Sequence, residues 1–418
     1  MFDFMKNEVH YSIGKLLDSN VINNKKKIIF FGYNHQVKLS ISYLLGGEIK
    51  KDKIHIVDNN PHGEYLGIEV QDPIQVLVPY DAEAVILVAT AHNKEIIKQA
   101  AKWGYKKNIQ VYETLNKKLK RYRYGSWLRL HYPQNYNKFL NGMGYVFYKK
   151  NHQDICKMTE SNIQYKNAYK GKRCFIMGNG PSVKEINLEL LKDEYVFGVN
   201  QVMGMPNWEK ANINFWVCID GDFLGLWTNA DLRFFDEMKK LPQNVQAFVP
   251  VEAKRNMEKH GIQKNIHINY VNFKLQYINL DQFVQMQDID MCKFIIQPYN
   301  VVIACINIAI YMGFSEIYLL GCNQTVLLNE LSNYIYENEK NMEEMHCITQ
   351  NDISESITLK RMKDKGIYFE IKTQLVQLTQ FKIMADYCKR NHIILKNISN
   401  PTLIESIDKI DLEQVMEK

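Results

Sequence analysis

At 418 residues the chain is too long for one ordinary hydrophobic core, so two or three domains are expected. Its 46% hydrophobic and 23% charged residues are those of a globular protein and exclude extensive disorder. The net charge of +6 suits an anionic small molecule or a lipid surface, but the basic residues are spread along the chain, which excludes a nucleic-acid partner.

Residues 1 to about 25 read as a helical lead-in, and "MFDFMKNEVH" carries charges where a signal peptide would be apolar. "KKKIIFFGYNHQVKLSISYLLGG" then predicts a strand, a turn at Gly32 and a helix. "KIHIVDNN" predicts a strand ending in Asp58, and "AEAVILVAT" a buried strand. A helix over "AHNKEIIKQAAKWGY" and a short strand at "NIQVYE" follow. Strands alternating with helices imply a parallel sheet wound in the Rossmann manner, over residues 1–113.

Residues 114–169, rich in Lys, Arg and Tyr, contain no clean strand and are expected to form a helical connector. Their basic-aromatic content is compatible with lipid headgroups or an acidic partner, though a solvated helix face is the preferred reading.

Residues 170–418 repeat the α/β alternation. "RCFIM", "YVFGVNQ", "INFWVCIDGD", "VQAFVPV", "IHINYVNF" and "KFIIQPY" are predicted strands. The apolar run Val301–Phe314 is too short to span a bilayer, contains Asn307, and reads as a buried helix. "SEIYLLGCN" is a strand, residues 324–366 a polar stretch expected to form a mobile lid, and "QLVQLTQFKIMADYCKRN" an amphipathic helix before a last strand at "HIILKNIS". None of the eight cysteines falls in a C-x-x-C pair, so they are expected to be buried reduced thiols of a cytoplasmic protein, and no zinc site is expected.

Two glycine turns invite comparison. A dinucleotide fingerprint needs G-x-G-x-x-G, and "FFGYNHQ" retains only Gly32, although Asp58 stands where a ribose-binding acid would. "RCFIMGNGPS" is the stronger signal. An apolar strand leads into Gly178, Asn179 and Gly180, with Pro181 preset to begin a helix and Ser182 able to donate or accept. A helix N-terminus has free N–H groups and can hold phosphate without a lysine, while a plain strand-to-helix turn is the alternative. Two more strand ends converge on this turn in a doubly wound sheet. One ends in Asn200 and Gln201, whose amides can read a base edge or sugar hydroxyls. The other ends in Asp220 and Asp222, which can hold a divalent cation such as Mg²⁺ if the chemistry is metal-dependent, or form a solvated turn.

"YKNAYKGKRCFIMGNGPSVKEINLELLKDEYVFGVNQ", "FWVCID" and "AIYMGFSEIYLLGCN" together resemble the MptE-like family over roughly residues 165–399. That family includes polysaccharide-locus proteins, archaeal hydroxymethylpterin diphosphokinases and motility accessory factors. More distantly, the chain is similar to the bacterial sialyltransferases of glycosyltransferase family 42. The resemblance implies a second domain of GT-A, sialyltransferase-like type. It implies that Gly178, Asn179, Gly180 and Ser182 hold the nucleotide phosphates, with Pro181 in the same nucleotide-binding turn, that Asn200 and Gln201 lie beside the donor, and that His346 in "EEMHCITQN" acts as base. Asp220, Asn300 and Asn323 complete the candidate donor-binding set. Two departures stand out: Cys322-Asn323 stands where the family usually has Asp after the glycine of "YLLG", and "QPYNVV", with Asn300, replaces the sialyltransferases' S-G.

The implied function is a glycosyltransferase of bacterial surface-glycan assembly, with a CMP-activated sialic-acid-like donor, a glycan acceptor and no required cofactor. Such enzymes often associate, so a homo-oligomer and a place at the inner membrane face are among the implied partners. The alternatives are a Mg²⁺-dependent diphosphokinase-like phosphoryl transferase and a non-catalytic assembly protein.

Overall fold

The computed structural model describes residues 13–45, 49–88, 93–113, 145–226, 232–274, 289–325, 362–363 and 366–417. The chain divides into two compact units, Met1–Ser126 with Gly221–Asp231, and Trp127–Asp220 with Leu232–Lys418. Both are α/β, built on mostly parallel sheets of six and seven strands.

The first unit contains β1 (Lys27–Phe31), α1 (His35–Leu45), β2 (Ile54–Val57), β3 (Glu64–Tyr65), β4 (Ile68–Gln71), α2 (Pro73–Leu77), β5 (Ala84–Val88), α3 (Asn93–Lys102) and β6 (Val111–Glu113). Its strand order is β3-β4-β2-β1-β5-β6, parallel except where β3 runs against β4. The continuous apolar run of β1 explains the layering, because both faces of a parallel sheet must be covered. Ile28 and Phe30 pack with Val37, Ile41 and Leu44 of α1, while Ile29 and Phe31 pack with Leu77, Ile96 and Ala100 on the other face.

The β3–β4 hairpin is absent from the sequence expectation. Its two-residue loop, Leu66 (φ 53) and Gly67 (φ 69), is left-handed at both positions, as a tight hairpin turn requires. The common signal there is Asn-Gly, and a leucine at the first position hides it.

The second unit opens with α4 (Tyr145–Asn151), α5 (Gln153–Glu160) and a 3₁₀ turn at Ser161–Tyr165. Then come β7 (Arg173–Met177), β8 (Tyr195–Val199), β9 (Ile213–Val217), α6 (Leu232–Met238), β10 (Gln246–Pro250), α7 (Lys254–Lys259), β11 (His267–Val271) and the small parallel pair β12 (Phe273–Lys274) and β13 (Ile295–Ile296). It closes with α8 (Val301–Met312), β14 (Glu316–Leu320), α9 (Ile367–Arg390), β15 (Ile394–Asn397) and α10 (Leu412–Met416). Every strand of the order β11-β10-β9-β8-β7-β14-β15 is parallel to its neighbours. The chain enters at β7, works outward to β11, then returns to the other flank of β7. The topological switch point therefore lies between β7 and β14.

α8 is the buried helix expected from its apolar run, with ten of its twelve residues buried. Asn307 donates from Nδ2 to Ile303 O within the helix at 2.7 Å, its Oδ1 is buried without a partner, and Gly313 (φ 88) ends the helix. Residues 145–165, expected to belong to a connector, instead pack into the second unit. Asn162 Nδ2 donates to Tyr270 O (2.8 Å) and Met291 O (3.2 Å), and the Tyr165 hydroxyl donates to Gln246 Oε1 at 2.6 Å. The rest of that stretch, 114–144, lies outside the described residues. The seven cysteines described are free thiols, six of them buried. Among the described residues no helix is long and apolar enough to cross a membrane.

Candidate functional site

In an open parallel sheet, ligands bind beyond the carboxyl ends of the strands, nearest the switch point. Here that edge is made by the exits of β7 and β14, which are stitched together. Gly178 N donates to Leu320 O and Gly180 N to Gly321 O, each at 2.8 Å. The approach is too close for side chains. A Cβ on Gly180 would sit 2.3 Å from Asn323 Oδ1, and one on Gly321 (φ 60) would sit 2.1 Å from Val183 Cγ2. Packing of one exit loop on the other is thus sufficient reason for these glycines.

Beyond the turn, Pro181–Glu185 is a five-residue 3₁₀ helix, not the α-helix whose N-terminus was expected to hold phosphate. Its first donors are already engaged. Ser182 N reaches Asn323 Oδ1 at 3.3 Å, and Val183 N reaches Gly180 O at 3.2 Å.

Asn323 is 1% exposed and joins three segments. Its Oδ1 accepts from the Ser182 hydroxyl (2.9 Å) and backbone N–H, and its Nδ2 donates to Pro401 O at 2.5 Å. Its own carbonyl accepts from Leu403 N at 3.0 Å. Next to it, Cys322 N donates to Ser399 Oγ (2.7 Å), and Thr402 Oγ1 donates to Cys322 O (3.0 Å). The segment 399–403 therefore straps the β14 exit. Burial pushes the Cys322 thiol up to about 12. Predicted as a donor-binding residue, Asn323 has its side chain turned into these partners.

Asn179 and Asn200 meet at the ends of β7 and β8. Asn179 Nδ2 donates to Val199 O at 3.3 Å, which carries this side chain across to β8 beside Asn200. Asn200 adopts a left-handed backbone (φ 44), its N–H donating to Val217 O and its carbonyl accepting from Trp216 Nε1 at 2.9 Å. Asn179 Oδ1 and Asn200 Oδ1 are both buried without a hydrogen-bond partner. Gln201, half-buried, starts a 3₁₀ turn at Val202–Gly204.

Asp220 follows β9 in the second unit, whereas Asp222 belongs to the segment Gly221–Asp231 that groups with the first. Among the described residues no three His, Cys, Asp or Glu side chains gather closely enough to hold a metal ion. A cation at Asp220 would need its remaining ligands from the substrate. His346, with most of the expected lid, lies outside the described residues.

Asn300 caps α8, its Oδ1 accepting from Val302 N at 2.8 Å, while its Nδ2 donates to Gln324 Oε1 at 3.0 Å. That contact leads into a polar network which the sequence reading missed. Gln324 (φ 57) donates from Nε2 to Gln374 Oε1 (2.8 Å) and to Gln377 Oε1; Gln374 Nε2 donates to Glu370 Oε1 at 3.0 Å. Gln380 Oε1 accepts from Tyr299 N at 2.8 Å, and its Nε2 donates to Gln297 O at 2.9 Å. The inward face of the first half of α9 is thus polar, while Tyr368, Ile371 and Leu375 face outward and are exposed. The second half reverts to the usual sense, with Phe381, Met384 and Cys388 inside. The spacing Q-x-x-Q-x-x-Q was the available signal, but local rules place such residues toward water.

In the first unit, Asp58 is occupied by the β1 turn and by its own loop. Its Oδ2 accepts from Tyr33 N (2.7 Å) and its Oδ1 from Asn60 N (3.0 Å). Gly32 N donates to Val57 O, and Asn34 Oδ1 caps α1.

No protein-family model matches the chain, and no curated protein or solved structure matches it either.

Proposed function

We propose that the protein is a glycosyltransferase of bacterial surface-glycan assembly that takes a CMP-activated, sialic-acid-like sugar to a glycan acceptor. The observation that supports this reading is the pair of unpartnered amide oxygens, Asn179 Oδ1 and Asn200 Oδ1, at adjoining strand ends beside the switch point. A buried acceptor left unpaired costs about 1–3 kcal/mol, and a native chain retains such a group for a reason. A nucleoside amine or a sugar hydroxyl is the kind of donor these oxygens lack. In this reading Gln201 and Asp220 flank the donor, and His346 takes the proton from the acceptor hydroxyl as the nucleotide leaves, a task for a group with a pKa near neutral.

The test is a nucleotide panel read by thermal unfolding, with Mg²⁺ and with EDTA. CMP or CDP raises the midpoint, with about 2.7 kcal/mol available at a hundred times Kd. The absence of any shift from cytidine nucleotides at millimolar concentration rejects the proposal. An EDTA-sensitive shift with ATP in their place would put a phosphoryl transferase ahead. His346→Ala is expected to abolish transfer while leaving the CMP shift intact.

A further inference from the structure

The hydrogen-bond directions around Ser182 carry a more specific conclusion, which rests on the site proposed above. We infer that Ser182 of the glycine turn meets its ligand as an acceptor: its Oγ takes a hydrogen from a hydroxyl or amino group and does not donate to a phosphate oxygen.

The direction is fixed by atoms whose polarity cannot change. Pro401 O can only accept, so the side-chain atom of Asn323 that touches it at 2.5 Å is the amide nitrogen. Ser182 N–H can only donate, so the atom it approaches is Asn323 Oδ1. Rotating the amide by half a turn would set two oxygens against each other at Pro401 and two donors against each other at Ser182. With Oδ1 thus facing the serine, the 2.9 Å contact requires the Ser182 hydroxyl to donate to it. A hydroxyl has one hydrogen, and once that is given inward only lone pairs remain for a ligand.

Four of the turn's backbone donors are already engaged, because Gly178 N, Gly180 N, Ser182 N and Val183 N point at internal carbonyls or at Asn323. Asn179 gives its amide hydrogen to Val199 O, leaving Oδ1 as the free end, and Asn200 Oδ1 has the same sign. Lone pairs facing a phosphate oxygen repel it, whereas a ribose hydroxyl, a base amine or a sugar polyol supplies what all three oxygens lack. Ser182 therefore faces the nucleoside or sugar part of the ligand and not its phosphate.

Isothermal titration of cytidine, CMP and inorganic pyrophosphate into the wild type, Ser182→Ala and Ser182→Thr tests this, with thermal unfolding to confirm that each variant folds. Cytidine and CMP are expected to lose affinity by the same factor in Ser182→Ala, about fivefold, the worth of one neutral hydrogen bond. Ser182→Thr keeps the hydroxyl and is expected to restore both, and no pyrophosphate binding is expected to depend on Ser182. A loss for CMP without a loss for cytidine overturns the inference, as does pyrophosphate binding that disappears in Ser182→Ala. If neither cytidine nor CMP binds the wild type, the proposed function fails. Pyrophosphate binding that disappears in Ser182→Ala would in that case still overturn the polarity.

Discussion

The two glycine turns, at Gly32 and at Gly178–Ser182, occupy the same place in two parallel sheets, and they are closed by different chemistry. Each follows the strand at which the chain enters its sheet, and in each a side chain from the neighbouring strand's exit captures a backbone N–H. In the first unit that side chain is Asp58, which only accepts and takes two N–H groups, from Tyr33 and Asn60. In the second it is Asn323, which accepts from Ser182 and donates to Pro401. A carboxylate ends a network, whereas an amide passes it on. Asp58 therefore fastens the β1 turn to the β2 exit, while Asn323 ties the β7 turn, the β14 exit and the 399–403 strap into one piece.

The largest effect expected from this difference is steric. Gly321→Ala puts a Cβ 2.1 Å from Val183 and 2.6 Å from Gly178 O at a left-handed backbone, and should cost about 4 kcal/mol. Gly32→Ala, at φ 105, carries backbone strain and should cost about 1–2 kcal/mol. Equal costs in urea unfolding would remove the distinction between the turns.

Exchanging the two side chains sharpens it. Asn323→Asp loses the donor to Pro401 O and buries a carboxylate against a carbonyl, costing about 2–3 kcal/mol at pH 8. Burial raises the folded pKa of that carboxyl, so the penalty is present at high pH and shrinks as pH falls through it, when the protonated acid donates to Pro401 again. Asp58→Asn still accepts, should cost about 1 kcal/mol, and should show no such recovery between pH 8 and pH 5. Unfolding curves at the two pH values decide this.

The smallest effect separates the units by thiol chemistry. All eight cysteines lie beyond residue 150, and none falls in the first unit. Burial raises Cys174, Cys218 and Cys305 well above 9.0 and Cys322 to about 12. A raised folded pKa gives stability that is full below the unfolded value and is lost as pH rises toward the folded one. Each thiol should therefore withdraw some stability from the second unit as pH rises above about 9. Iodoacetamide labelling at pH 10, read by intact mass, should therefore reach Cys174, Cys218, Cys305 and Cys322 only after the second unit opens. Modification of these thiols in the native protein at pH 8 would contradict their burial.

Much of the architecture was legible. β1, β5, β7 and β14 are short apolar runs, and α8 is apolar on all sides, so each must be covered on both faces wherever it lies. The β3–β4 hairpin was hidden because Leu66 takes a left-handed conformation usually given to Asn or Gly. The first half of α9 was legible as a helix but not in its orientation. Gln374, Gln377 and Gln380 turn inward because Gln324, Asn300 and the 297–299 backbone are waiting there. Nothing in the local pattern announces those partners. At the candidate site, the sequence pointed to Asn200 as an amide at a strand end and to Asn179 as part of the glycine turn, but not to their unpaired oxygens.

By itself the sequence determined two α/β units with parallel sheets and placed a glycine turn at the centre of each, because apolar periodicity and glycine are local signals. What that turn can recognise was decided by the tertiary structure. Ser182 and Asn323 are 141 residues apart in sequence, and Asn323 and Pro401 are 78 apart. The direction of a hydrogen bond depends on its partner, and these partners meet only because the sheet sets β14 against β7.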